Sequence, residues 1–214
     1  MKRRSALKTL SLGAGYTMTG AGLAAFFGSC KSEGTMTKKD WSPAFMSHTE
    51  SKVVEGILDA LLPTTESSPG ARELNIVQAV DNLVNKVFKK VDQENFRSGL
   101  TALGKRFKTD QQVEMTDITD EHIALFMERY LGEKNTLEQQ GLSKLAALSK
   151  DQISPDDMED YHFANVLATL KDQGISAYFS NEIIATDYLN YDPIPGVFNG
   201  CIPVSEVGAT WSLS

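Results

Sequence analysis

The side chains that could perform acid–base or metal chemistry are few and dispersed along the chain. The three histidines, His48, His122 and His162, have no spacing that would build a metal site. A run of acidic residues around His162 could serve general acid–base catalysis: Asp156, Asp157, Glu159 and Asp160. This run follows Ser154-Pro155 and is better explained as a solvated helix start. A helix start typically has a capping serine, a proline in the first turn and acids near the positive end of the helix. We therefore expect no catalytic, cofactor-binding or metal-binding residue in this chain.

The first of two cysteines lies at the end of a segment that is typical of an export signal. Arg3 and Arg4 precede a weakly apolar run over residues 10–27, and small residues stand directly before Cys30. The arginine pair favours the twin-arginine route, which moves folded proteins. We expect residues 1–29 to be removed and Cys30 to be lipidated, which would anchor the protein to the membrane on the periplasmic side.

A retained membrane-spanning helix is the alternative for this segment. The run over residues 10–27 is at the lower limit of what a bilayer needs, and its glycines argue against a stable span. A cleaved signal remains the preferred interpretation.

The charge and the second cysteine limit what the mature chain can do. The formal charge of −7 becomes −11 without the four basic residues of segment 1–29, which holds no acid. Because the mature protein is acidic, its net charge is not expected to attract nucleic acid or an anionic membrane surface. If Cys30 is lipidated, Cys201 has no partner for a disulfide inside the domain, which leaves a buried thiol or a bond to another chain.

Apolar residues recur at helical spacing over most of the remaining chain and predict an all-α fold. We expect a single helical domain of about six to seven helices over residues 47–190, preceded by a tether over residues 30–46 whose end docks on the domain. The predicted helices are as follows: one from Ser47 to Pro63, a stripe from Val77 to Val91 that also includes Phe88, one through Phe96 to Phe107, one through Ile123 to Leu131, a weaker one through Leu137 to Leu148, one from Ser154 to Gly174, and a last one from Ile175 to about Asn190. The stretch from Thr109 to Asp120 is expected to be irregular.

The C-terminal segment over residues 191–214 breaks the helical pattern. Three prolines and two glycines between Tyr191 and Pro203 impose an extended, turn-rich path. Such a segment should lie along a surface, either that of its own helices or that of a partner.

Three stretches of the chain resemble the gluconate 2-dehydrogenase subunit 3 family. They are Ile57-Leu-Asp-Ala-Leu-Leu-Pro-Thr-Thr-Glu-Ser-Ser-Pro-Gly-Ala71, Phe179-Ser-Asn-Glu182, and the tail motifs Tyr191-Asp-Pro-Ile-Pro-Gly196 and Cys201-Ile-Pro203. The resemblance covers roughly residues 50–205. It implies a small helical subunit of a periplasmic sugar or sugar-acid dehydrogenase.

The resemblance also implies a division of labour among subunits. A large subunit of the glucose–methanol–choline type would hold FAD and oxidise the substrate, and a c-type cytochrome with its haem c would usually accept the electrons. The small subunit would support maturation of the large one, and its twin-arginine signal would carry the pair across the membrane.

We expect the family-like loop and the tail to contact the large subunit. The residues concerned are Pro63, Thr64, Thr65, Pro69, Gly70, Tyr191, Asp192, Pro193, Pro195, Gly196 and Cys201. The loop could instead be only a turn between two helices, because its residue types suit a turn. Cys201 could be an inert buried thiol or form a disulfide with the large subunit.

The function indicated by these features is that of a non-catalytic subunit that binds, matures and helps to export and anchor an FAD-dependent dehydrogenase. A free-standing envelope lipoprotein that binds a sugar or a polymer is the alternative. A basic cluster could be a solvated face or could steer an acidic partner: Lys86, Lys89, Lys90, Lys105, Arg106 and Lys108.

Overall fold

The computed structural model describes residues 41–134, 136–190, 201 and 203. All the helices reported below lie in the compact unit that begins at Ser42. The predicted export signal, the Cys30 lipidation site and the tail over residues 191–200 fall outside the described residues. None of the helices described here is long and apolar enough to cross a membrane.

Six α-helices and one π-helical turn make up the described part of the domain, which contains no β-strand. The helices are α1 (His48–Leu61), α2 (Ile76–Lys86), α3 (Lys90–Gln111), α4 (Asp120–Tyr130), α5 (Leu137–Ala146) and α6 (Met158–Phe179). Short 3₁₀ turns cover Met115–Asp117 and Lys150–Gln152, and the π-helical turn covers Ile184–Tyr188. The predicted all-α fold is confirmed.

Helix α1 shows how local sequence sets these boundaries. Ser47 and Glu50 form a reciprocal capping box that satisfies two backbone donors at the helix start. The helix ends just ahead of Pro63, which cannot continue a helical hydrogen-bond ladder. Its apolar stripe, including Val54 and Ile57, is almost fully buried.

Helix α6 is the central element, with α1, α2, α3 and α5 packed against it. The rings of Phe107 and Phe126 stack at 4.6 Å between centroids, and Phe163 of α6 meets Phe126 edge-on. Helices α3 and α6 cross at Gly99, where an added Cβ would lie 2.6 Å from the Cβ of Val166. A glycine is therefore required at this crossing, since any side chain would push the two backbones apart.

The end of α6 differs from the prediction. Gly174 was expected to end one helix, and a second helix was expected to begin at Ile175, but α6 continues without a break to Phe179. Gly174 is a packing residue instead, because an added Cβ would lie 2.4 Å from Cδ2 of Leu58 in α1. The sequence alone does not distinguish a glycine at a contact between helices from a glycine that ends a helix.

The junction between α2 and α3 also differs from the prediction. The apolar stripe was expected to run to Val91, but α2 ends at Lys86, and both Val87 and Val91 are exposed. The segment expected to be irregular from Thr109 begins later, since α3 extends to Gln111. Gln112 then adopts a left-handed conformation with φ of 57° and turns the chain away.

Candidate partner-binding face

The loop between α1 and α2 is held in a fixed shape by its own threonines. The Thr64 hydroxyl donates a hydrogen bond to Glu73 (2.7 Å) and accepts one from the backbone N–H of Gly70 (3.1 Å). The Thr65 hydroxyl accepts bonds from the backbone N–H groups of Ser67 and Ser68. Both hydroxyls therefore satisfy backbone donors that would otherwise lack partners in an exposed turn.

Gly70 lets the two arms of the loop approach closely. An added Cβ on this glycine would lie 2.5 Å from the backbone nitrogen of Thr64 and 2.6 Å from its hydroxyl oxygen. The N–H of Ala71 donates to the carbonyl of Leu62 at 2.8 Å and closes the base of the loop. The fold of the loop thus depends on the absence of a side chain at position 70.

A hydrogen bond joins this loop to the far end of α6. The Tyr178 hydroxyl donates to the carbonyl oxygen of Pro69 at 2.9 Å, across 109 residues of sequence. The Tyr178 side chain is buried, and its ring meets that of Phe179 edge-on at 5.5 Å. The bond fixes the end of α6 beside the loop.

The chain that continues from Tyr178 presents apolar side chains to solvent. Phe179 is 40% exposed, Ile183 is 47% exposed and Tyr188 is 39% exposed. Ile183 directly precedes the π-helical turn, and Tyr188 is its last residue. This helix geometry is often found at functional sites. We call residues 63–70 together with residues 178–188 the loop–helix face.

The family model described as gluconate 2-dehydrogenase subunit 3 matches residues 48–196 of this chain. The chain belongs to the gluconate 2-dehydrogenase subunit 3 family. No curated protein and no solved structure matches it. The match starts at the first residue of α1, and it includes the whole loop–helix face.

Several of the predicted contact residues of this gluconate 2-dehydrogenase subunit 3 family member come together in the structure. Pro63, Thr64, Thr65, Pro69 and Gly70 all lie in the same loop, with the first three exposed. The two alternatives for this loop are compatible, because it is both a shaped turn between helices and an exposed surface. Of the tail residues, only Cys201 and Pro203 are described, and both are exposed. The contact residues predicted in the tail at positions 191–196 lie outside the described residues: Tyr191, Asp192, Pro193, Pro195 and Gly196.

Sequence reasoning missed two residues that build this face. Glu73 anchors Thr64, and Tyr178 anchors Pro69. The position of Tyr178 directly before the family-like stretch that starts at Phe179 was the sequence signal that could have indicated its role. Nothing in the sequence indicated that this stretch meets the loop.

The described residues contain no group of His, Cys, Asp and Glu side chains that could hold a metal ion. His122 accepts a hydrogen bond from the Thr119 N–H and so caps α4. Burial, together with the nearby charge of Lys150, lowers the pKa of His162 and favours its neutral form. The helix cap accounts for His122, whereas Nδ1 of His162 is buried and has no hydrogen-bond partner among the described residues.

The acidic run at the start of α6 forms ion pairs with α3. Glu159 pairs with Lys105 at 2.5 Å, and Asp160 pairs with Arg106. The guanidinium of Arg106 also lies 4.6 Å from the ring centroid of Phe163, which holds it over the aromatic core. Glu159 and Asp160 therefore link α6 to α3 at the protein surface. The helix start was predicted too early: α6 begins at Met158, so Ser154 and Pro155 lie ahead of the helix and do not form its cap and first turn.

The chain ahead of α1 is fixed to the domain by a buried carboxylate. Asp81 of α2 is fully buried and accepts hydrogen bonds from the backbone N–H groups of Ala44 (2.7 Å), Phe45 (3.1 Å) and Met46 (2.8 Å). Arg97 adds a bond to the Phe45 carbonyl and lies over the Phe45 ring. These contacts bind residues 44–46 to α2 and α3.

Proposed function

We propose that this chain is the non-catalytic small subunit of an FAD-dependent dehydrogenase of the glucose–methanol–choline type that oxidises a sugar or a sugar acid. In this role it binds the large subunit, supports its maturation and accompanies it through export. A c-type cytochrome receives the electrons from the flavin. Membership in a family of dehydrogenase subunits supports the partner class.

The observation that carries the proposal is the hydrogen bond between Tyr178 and Pro69. It joins the two described stretches that resemble the family, the loop from Pro63 and the segment from Phe179, although they are far apart in sequence. The bond holds the two stretches side by side, so that they form one surface. We infer that the loop–helix face binds the large subunit.

The chemistry of the face suits a protein partner. Its loop hydroxyls are already bonded within the loop, so the shape exists before binding and little loop entropy is lost on association. Its exposed apolar side chains at positions 179, 183 and 188 would supply the buried centre of an interface. The polar loop would form part of the rim.

Export and anchoring form the second part of the proposal. A flavoprotein has to collect FAD before it leaves the cytoplasm, and a twin-arginine signal on this chain would carry the folded pair across the membrane. Lipidation of Cys30 would then hold the complex at the periplasmic side of the membrane.

The first test is a mild-detergent purification of the native protein, followed by mass spectrometry and a visible spectrum. The proposal predicts a larger chain in equal amount and flavin absorbance in the eluate. A lone, colourless and monodisperse protein would contradict it and favour a free-standing envelope lipoprotein.

A pair of matched variants tests the loop–helix face itself. We expect the double variant Phe179→Ser and Ile183→Ser to retain its fold, because both side chains are already well exposed, and to lose most of the flavin that purifies with it. The control double variant, Leu125→Ser and Leu137→Ser, removes two exposed leucines from α4 and α5. Equal flavin recovery from both double variants would rule out this face as the contact.

A further inference from the structure

The predicted basic cluster divides into two halves that differ in their pairing. Its C-terminal half is neutralised by acids: Lys105 by Glu159, Arg106 by Asp160, and Lys108 by Glu114. Its N-terminal half consists of Lys86, Lys89 and Lys90, which form no ion pair within the described part of the chain. The structure thus places three exposed lysines close together where α2 ends and α3 begins.

The same place carries two of the most exposed aliphatic side chains in the described residues. Val87 is 68% exposed and Val91 is 55% exposed, and both lie beside lysines in the sequence of residues 86–91. This segment is the corner where α2 ends and α3 begins. We call residues 86–91 the α2–α3 corner.

The side chain of Gln93 caps the end of α2 at the α2–α3 corner. The side-chain amide of Gln93 donates to the carbonyls of Val84 and Asn85, at 2.9 and 3.1 Å, and satisfies the last turn of α2. Phe88 is half-buried and lines a surface pocket with Phe96 and Val166. Val87 and Val91, by contrast, are exposed to solvent.

We propose that the α2–α3 corner docks on the surface of an anionic lipid bilayer. The valines would enter the boundary between headgroups and acyl chains, and the lysines would lay their apolar stems along it with their ammonium groups at the lipid phosphates. The proposal is independent of whether Cys30 carries a lipid.

The size and shape of the corner favour a bilayer over a protein partner. Two exposed valines at a helix junction offer far less apolar surface than the roughly 800 Å² per partner that a stable protein interface buries. A bilayer needs no matching pocket, and each lysine near an anionic surface adds to the attraction on its own. The surrounding chemistry is therefore sufficient for a lipid surface and insufficient for the core of a protein interface.

The acidic character of the whole chain does not oppose this docking. Charges more than about 8–10 Å apart are largely screened at physiological ionic strength, so the local charge decides the interaction. The corner holds three lysines and no acid. The nearest acids in sequence, Asp92 and Glu94, are both exposed: Asp92 borders the pocket lined by Phe88 and Val166, and Glu94 borders a second pocket together with Lys90.

The first test measures co-sedimentation of the full chain with vesicles of phosphatidylglycerol and phosphatidylcholine, and with vesicles of phosphatidylcholine alone. The triple variant Lys86→Gln, Lys89→Gln and Lys90→Gln should lower the partition coefficient for the anionic vesicles by about tenfold or more and leave the neutral ones unchanged. The matched control, Lys52→Gln, Lys144→Gln and Lys171→Gln, removes the same charge from exposed lysines on α1, α5 and α6. Equal partition of the two triple variants would overturn the proposal.

The second test places a probe in the corner, so that binding through the N-terminal segment does not confuse the result. Tryptophan is introduced by Val87→Trp and, as a control at another well-exposed site in α4, by Leu125→Trp. Brominated lipid in anionic vesicles should quench the added emission at position 87 and not at position 125. Equal quenching at both positions would overturn the proposal. It would also be overturned if the lysine triple variant still bound vesicles but no longer bound the large subunit.

Discussion

The hydroxyl of Tyr178 lies 2.9 Å from the carbonyl oxygen of Pro69 and donates a hydrogen bond to it. The loop and the end of α6 therefore share one polar contact that neither could form alone. Because the contact is partly buried, the Pro69 carbonyl would not regain a full partner from water if the hydroxyl were removed.

Replacement of this hydroxyl tests both stability and binding. We expect Tyr178→Phe to lower the free energy of unfolding by about 1 kcal/mol, which is a shift of about 2–4 °C in Tm for a domain of this size. It should also weaken recovery of the large subunit, because the loop loses its link to α6. The control is Tyr188→Phe, which removes an exposed hydroxyl and should leave Tm unchanged; equal Tm values for the two variants would refute the structural role of the bond.

Gly70 should tolerate no side chain. Gly70→Ala places a methyl group against the backbone of Thr64, so we expect a loss of about 1–3 kcal/mol in the free energy of unfolding. Gly141→Ala in α5 is the matched control, since an added Cβ there meets nothing within 4 Å. That variant should gain about 0.5–1 kcal/mol from its higher helix propensity. Urea unfolding distinguishes the two, and a stable Gly70→Ala variant would mean that the loop can rearrange.

Gly99 should be just as restrictive at the crossing of α3 and α6. An added Cβ would lie 2.6 Å from Val166 Cβ and 3.0 Å from the carbonyl oxygen of His162, and a backbone atom cannot move aside as a side chain can. We expect Gly99→Ala to cost about 1–3 kcal/mol, measured by urea unfolding with Gly141→Ala again as the control. An unchanged midpoint would show that the two helices can separate without loss.

Glu50 should make the stability of the domain depend on pH in the acid range. Burial alone would raise the pKa of this carboxyl, but bonds from the Ser47 backbone N–H and from Arg97 outweigh it and lower the pKa below its usual 4.5. The stabilisation is therefore present above pH 4.5 and is lost as the pH falls through the lower pKa of the folded state. We expect Glu50→Gln to cost about 1–2 kcal/mol at pH 7.

The measurement for Glu50 is urea unfolding of the wild type and the variant between pH 7 and pH 3. The difference between the two free energies should be largest near neutral pH and should shrink below pH 4.5. Glu66→Gln, at an exposed position in the loop, provides the control because it removes the same charge without touching the contacts of Glu50. A constant difference for Glu50→Gln across the range would mean that its charge contributes nothing.

Apolar periodicity predicted the helical class and most helix positions because it records which face of each helix is buried. It could not assign a neighbour to each face, so Gly174 was interpreted as a helix end although it contacts Leu58. Val87 and Val91 were placed in a buried stripe for the same reason, since a helical pattern cannot show that the helix stops at Lys86. Local residue types predicted the turn between α1 and α2 correctly, because turn chemistry acts over a few residues. The contact from Tyr178 to Pro69 was beyond prediction because it depends on the packing of the whole bundle.

The burial of Asp81 has a consequence for where this domain can be trimmed. Its carboxylate depends on donors from residues 44–46, which precede the capping box of the first helix. A deletion that starts the chain at Ser47 would keep the residues of every helix. It would also leave the buried Asp81 carboxylate without its hydrogen-bond donors, which would lower the free energy of unfolding by about several kcal/mol. The smallest self-sufficient folding unit of this chain thus begins ahead of its first helix.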